Sequence, residues 1–183
     1  MKFRRLVLIC SLTTGGFFLP VLTPAPSFAS SKVPECSHAQ LEVAAVSSSG
    51  AAAGSVGVPF LIANTGKSAC SLRGYPTLSF FTLSGKPIKA TVQHGRSQVF
   101  AGPKPVSVTI ARNAVATFGI SYSDGFQVAK DTSACKVGYV NIGLPSIDPS
   151  HERSQAVLIF DMCRSNHQVS TTSIESGATP RVN

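Results

Sequence analysis

Residues 55–76 read SVGVPFLIANTGKSACSLRGYP. Val56, Val58, Phe60 and Ile62 occupy alternate positions, the period of a strand that turns one face to a core. The run stops at Asn64-Thr65-Gly66, and a cysteine, Cys70, follows before a second turn signal at Gly74-Tyr75-Pro76. A strand, a turn and a returning chain headed by a cysteine suit a disulfide-stapled β protein. Asn64 and Gly66 tolerate left-handed backbone angles, and Gly74 lets the chain turn sharply. Leu72 is expected in the core, and Tyr75 is expected to lay its ring on Pro76 and the edge of the fold.

The same period recurs on both sides of this stretch. Residues 114–122, AVATFGISY, place Ala114, Ala116, Phe118, Ile120 and Tyr122 on one face and Val115, Thr117, Gly119 and Ser121 on the other. Residues 155–163, QAVLIFDMC, set Val157 and Ile159 opposite Leu158, Phe160 and Met162, which reads as a strand buried on both faces. Further strands are expected over 40–46, 77–83, 88–92, 105–111, 137–144 and 168–174. Between them stand Ser84-Gly85-Lys86, Ala101-Gly102-Pro103, Asp124-Gly125 and Asp148-Pro149. No stretch carries a helical stripe, and 47–55 reads as a flexible loop. Eight or nine short strands at this spacing imply an all-β, Ig-like two-sheet antiparallel β-sandwich. Without Trp, it cannot be the antibody-type domain that packs a Trp on its inter-sheet bridge.

The first residues address the compartment. Lys2, Arg4 and Arg5 precede an uncharged apolar run from Leu6 to Leu22, and Ser27-Phe28-Ala29 offers the small residues that signal peptidase requires. Cleavage after Ala29 would make 1–29 a signal peptide, 30–175 one β-sandwich domain and 176–183 a flexible tail. The 17-residue run is broken by Gly15, Gly16 and Pro20, against the ~20 apolar residues of a spanning helix. Ile9, rather than a small residue, precedes Cys10, which argues against lipidation there. The mature chain is therefore expected to be exported, with no transmembrane segment.

Four cysteines then remain, Cys36, Cys70, Cys135 and Cys163, an even number in an exported chain. Three pairings are open in principle. Their segregation into an early and a late pair favours Cys36–Cys70 and Cys135–Cys163. There is no C-x-x-C, although His38 and His167 stand near Cys36 and Cys163.

Charge is distributed unevenly. Removing the leader leaves 13 basic side chains against 8 acidic ones, a charge of +5. Between Glu42 and Asp124 there is no acid, while Lys67, Arg73, Lys86, Lys89, Arg96, Lys104 and Arg112 give +7. Such a segment fits an anionic partner, and Arg73, Lys86, Lys89, Arg96, Lys104 and Arg112 are its candidate contacts. The bases are scattered singly and lack interleaved aromatics, which argues against nucleic acid.

Catalytic patterns do not hold together. Ser133 to Lys136 matches S-x-x-K, but the order of the accompanying motifs is reversed and Cys135 lies inside the box. There is no G-x-S-x-G, and the histidines and lone mature methionine are too dispersed for a hydrolase or copper site. Asp148 and Glu152 lack the cleft aromatics that accompany glycoside hydrolysis. No enzyme, cofactor or metal is expected.

With Cys36 opening C-S-H-A-Q-L-E-V, then Asn64, Thr65, Gly66, Cys70, Leu72, Gly74, Tyr75 and Pro76 in place, the chain resembles an actinobacterial family of exported domains of unknown function. The resemblance covers roughly 36–172. It implies a β-sandwich, export and disulfides, and no enzymatic activity. Where such chains often carry Pro-Gly-Gly before an Ala-rich strand, this one has Arg112-Asn113-Ala114. The resulting expectation is a non-catalytic binding or structural module for an envelope component or a protein partner. Two alternatives stand beside it. One is an enzyme or accessory acting on cell-wall polymer, marked by clustering of Asp148, His151 and Glu152. The other is a carrier of a small apolar ligand between the sheets, lined by Phe60, Phe80 and Phe118.

Overall fold

The structure is a computed structural model, and it describes residues 32–46, 50–52, 54–123, 135–147, 154–163 and 166–183. The expected leader and cleavage site, the turns at Asp124-Gly125 and Asp148-Pro149, and the trio Asp148, His151 and Glu152 lie outside these residues. Chain order runs through β1 (Leu41–Ala45), β2 (Gly50–Ala52), β3 (Ser55–Asn64), β4 (Cys70–Leu72), β5 (Thr77–Phe81), β6 (Pro87–Ile88) and β7 (Thr91–His94). It continues with β8 (Val108–Ile110), β9 (Val115–Ser123), β10 (Lys136–Gly143), β11 (Ser154–Asp161), β12 (Gln168–Thr171) and β13 (Glu175–Ser176).

These strands form a large sheet ordered β1-β3-β9-β12-β7, with β2 added on β3 and β13 on β9, and a smaller sheet ordered β11-β10-β5-β6. β3 and β9 are its longest antiparallel pair, with Phe60 opposite Phe118 and Ile62 opposite Ala116. Both sheets contribute to one buried cluster: Phe60, Ile62, Phe118 and Ile120 from the large sheet meet Phe80, Val140, Leu158 and Phe160 from the small one. Tyr122 stacks on Phe160 across the interior with ring centroids 4.0 Å apart. The sandwich reading thus holds, and β4 with β8 adds a short third sheet.

Cys36 is bonded to Cys70 and Cys135 to Cys163, as the segregation favoured. Leu72 enters the core. Phe60 and Phe118 stack on each other, Phe80 meets Phe160 edge-on, and Phe60, Phe80 and Phe118 are sealed by packing.

Several expectations are corrected. The sandwich is not wholly antiparallel, because β12 and β7 pair in parallel. The strand expected over 88–92 is two: β6 pairs with β5 in the small sheet and β7 with β12 in the large one, so the chain changes sheet at Lys89-Ala90. β11 is buried on one face only. Val157 and Ile159 are 71% and 68% exposed because the outer side of the small sheet is open at this edge strand. Part of the loop expected over 47–55 is β2, which turns into β3 at Gly54, φ 76°.

The end of the chain is tied down rather than frayed. Ala101 N–H donates to the Arg181 carbonyl, Val182 bridges to Phe100, and Arg181 Nε sits 3.0 Å from the buried Glu175 carboxylate.

A candidate binding groove on the large sheet

On the outward face of the large sheet, registers align small polar side chains across neighbouring strands. Ser121 on β9 pairs with Ser170 on β12, and Ser170 pairs with Gln93 on β7. Ser55 on β3 lies opposite Ser123 on β9. Alternation puts all five on the side facing away from the core. They floor a groove of about 710 Å³. Arg96, Ser97, Gln98 and Asn183 also line it.

The Arg96–Gln98 wall belongs to the segment 95–102, and local chemistry fixes it. Gly95 (φ 108°) and Gly102 (φ 55°) bring their backbones together at the neck, where a Cβ on Gly102 would stand 2.1 Å from the Gly95 carbonyl carbon. Ser97 Oγ accepts from the N–H groups of Val99 and Phe100, turning the chain back. Phe100 then lays its ring on the bare backbones of Gly57 and Gly119, where a Cβ would come within 2.8 Å and 2.5 Å of it. Asn183 Nδ2 donates to the Ser97 carbonyl at 2.7 Å, so Asn183 braces the wall.

The turn motif of the opening stretch supports this wall from below. Tyr75 stacks on His94, the last residue of β7, with centroids 4.5 Å apart and planes 3° off parallel. The ring therefore rests on the edge of the large sheet, at His94 of β7. Gly74 adopts φ 132° and accepts a hydrogen bond at its carbonyl from Ile174 N–H, as a sharp corner requires. Pro76 is buried and Thr65 N–H donates to the Gln40 carbonyl. Asn64 and Gly66 do not take left-handed angles. Asn64 works through its side chain, and Gly66 is glycine because a Cβ there would stand 2.7 Å from Gln40 Cβ.

Of the six candidate basic contacts, Arg96 alone lines the groove. Lys86 follows the turn after β5, Lys89 joins β6 to β7, and Lys104 precedes β8. Arg112 lies between β8 and β9, and Arg73 follows β4. All six are exposed. The groove floor escaped the sequence reading, although its signal is present: Ser121 and Ser123 on β9, Gln168 and Ser170 on β12 and Gln93 on β7 are all polar outward positions. Alternation finds such positions, but only sheet order puts them side by side.

Among the described residues, Arg96 is the charged side chain that lines the groove, and no carboxylate side chain or histidine does. The arrangement can hydrogen-bond hydroxyl and amide groups and pair with an anion.

A family model described as a domain of unknown function (DUF4232) matches residues 36–178. The chain belongs to the DUF4232 family. The matched span starts at Cys36 of the first disulfide and takes in every strand of this DUF4232 domain through β13. Asn183, which braces the groove wall, lies beyond it. No curated protein and no solved structure matches the chain.

Proposed function

We propose that this DUF4232 domain is an exported, non-catalytic binding module and that its groove takes a hydroxyl-rich envelope polymer bearing anionic groups. The observation that carries the reading is Arg96 set among serine and glutamine side chains, with no acidic side chain lining the groove among the described residues. Hydrogen bonds to sugar-like hydroxyls supply orientation, and one guanidinium supplies bidentate pairing with a carboxylate or phosphate. A serine nucleophile would need a base within hydrogen-bond reach, and none lines the groove among the described residues. Export is supported by the charged and apolar leader and by two disulfides, which persist in oxidising compartments. No helix among the described residues is long and apolar enough to cross a membrane.

The test is co-sedimentation of the purified protein with isolated cell envelope at low and high salt. Binding is expected to fall with salt, and Arg96→Gln to weaken it about fivefold, or roughly 1 kcal/mol. Protein left in the supernatant at both salts would end the envelope reading. Binding that survives Arg96→Gln but is lost in the Lys86→Gln/Lys89→Gln double variant would move the contact to the basic loops.

A further inference from the structure

The two disulfides stand in different surroundings. Cys36 and Cys70 are 4% and 1% exposed, whereas Cys135 and Cys163 are half-buried beside the exposed His167. His167 Nε2 lies 3.7 Å from Cys163 Sγ, and its Nδ1 lies 3.0 Å from the Lys89 carbonyl oxygen. A carbonyl only accepts, so Nδ1 carries the proton and donates, and the Nε2 lone pair is left facing the sulfur. An imidazole pinned through one nitrogen to a backbone carbonyl is how metal-ligating histidines are oriented.

The backbone holds this geometry from several sides. Met162 N–H donates to the Cys135 carbonyl at 2.9 Å, and Cys163 N–H to Asp161 Oδ1 at 3.0 Å. The chain then doubles back so that His167 N–H donates to the Met162 carbonyl, with φ 52° at Asn166 and 56° at His167. Left-handed angles are uncommon outside glycine, and here the surrounding bonds hold two successive residues in them. Thr91 N–H, at the start of β7, closes on the His167 carbonyl at 2.7 Å.

We propose that opening the Cys135–Cys163 bond converts Cys135, Cys163 and His167 into a three-ligand site for a borderline-soft divalent cation of the Zn²⁺ type. Two thiols give two electrons and their two protons to the S–S bond and leave as a disulfide. Alternatively, a phosphine gives the electrons, takes the oxygen of one water and leaves as its oxide, while that water's two protons complete the thiols. The cation then displaces both protons as two S–metal bonds form. The three donor atoms lie within 4.8 Å of one another. With Zn–S of about 2.3 Å and Zn–N of about 2.0 Å, neighbouring S and N donors of a tetrahedral site stand roughly 3.5 Å apart. Cys163 Sγ and His167 Nε2, at 3.7 Å, already stand close to that spacing. Rotation about one cysteine χ1 parts the two sulfurs, and the exposed side of the site leaves the fourth position to water. The disulfide form offers no thiolate, so binding is gated by redox state. The buried Cys36–Cys70 bond stays closed and keeps the fold.

The test titrates Co²⁺ into the purified protein before and after mild phosphine reduction, with alkylation mapping to show that Cys135 and Cys163 alone are free. The oxidised protein is expected to take up no Co²⁺. The reduced protein should bind one per chain, with thiolate-to-metal charge transfer and tetrahedral visible bands that Zn²⁺ displaces. His167→Ala should weaken binding by at least about 100-fold. A reduced protein without the charge-transfer band, or a His167→Ala variant that binds as tightly, would overturn the assignment. Reoxidation gives a second readout: Zn²⁺ should slow re-formation of the bond in the parent protein and not in His167→Ala. Equal protection in both would likewise overturn it.

Discussion

At position 64 the side-chain amide is buried and fully engaged. Nδ2 donates to the carbonyls of Ser68 and Ile110, each at 2.9 Å, and Oδ1 accepts from Gly66 N–H at 3.0 Å. Asparagine supplies two donors and an acceptor on a short stem, so one residue ties the turn after β3 to β8. Asn64→Ala is expected to cost about 2–4 kcal/mol in urea denaturation, because buried backbone groups lose their partners. Asn64→Asp should cost at least as much at neutral pH, where a carboxylate would face two carbonyl oxygens. Part of that loss should return in acid, when the carboxyl can donate one bond. A change below about 0.5 kcal/mol in Asn64→Ala would refute this role. The sequence marked Asn64 as a turn residue because Asn-Thr-Gly is a local signal. Its buried role depends on Ile110, 46 residues away, which no local signal reports.

Among the elements, the segment 95–102 decides whether there is a groove. Its anchor, Phe100, is buried only because Gly57 and Gly119 leave the sheet bare beneath the ring. Gly119→Ala would put a Cβ 2.5 Å from that ring, and the ring must leave. The expected result is a loss of about 1–3 kcal/mol by thermal melting, a folded protein, and envelope binding weakened together with the Arg96–Gln98 wall. Phe100→Ala should cost about 3–5 kcal/mol and weaken binding in the same way. A folded Gly119→Ala protein that binds normally would separate the wall from the site. Strands β1, β3 and β9 were legible because strict alternation survives in their residues. The 88–92 reading failed because Lys89-Ala90 changes sheet without breaking the pattern. Val157 and Ile159 misled because apolar identity does not say whether a neighbour covers it.

For the whole molecule, fold class and cysteine pairing were legible because period-two runs, turn signals and an even cysteine count are each local or countable. The groove was not, since it needs the order β3-β9-β12-β7, the segment 95–102 folding outward and Asn183 returning to Ser97. The two disulfides make the final test of this architecture. They span separations of 34 and 28 residues, so chain entropy gives each a similar worth, about 3–4 kcal/mol. Their surroundings differ instead. Cys36–Cys70 staples the N-terminal segment to the β4–β8 sheet, where Cys36 N–H also donates to the Ser71 carbonyl. A reductant reaches it only when that end of the sandwich opens. Cys135–Cys163 is partly exposed in the folded protein. Without reductant, none of the four thiols should alkylate. Under graded reduction, Cys135 and Cys163 should label first with little change in circular dichroism, and Cys36 and Cys70 should label only as the protein unfolds. The Cys36→Ala/Cys70→Ala variant should melt lower by roughly 10 °C, the shift that 3–4 kcal/mol produces in a domain of about 150 residues. If Cys36 and Cys70 label first in folded protein, the end closed by β4 and β8 opens more readily than its burial implies, and the staple is not what holds it.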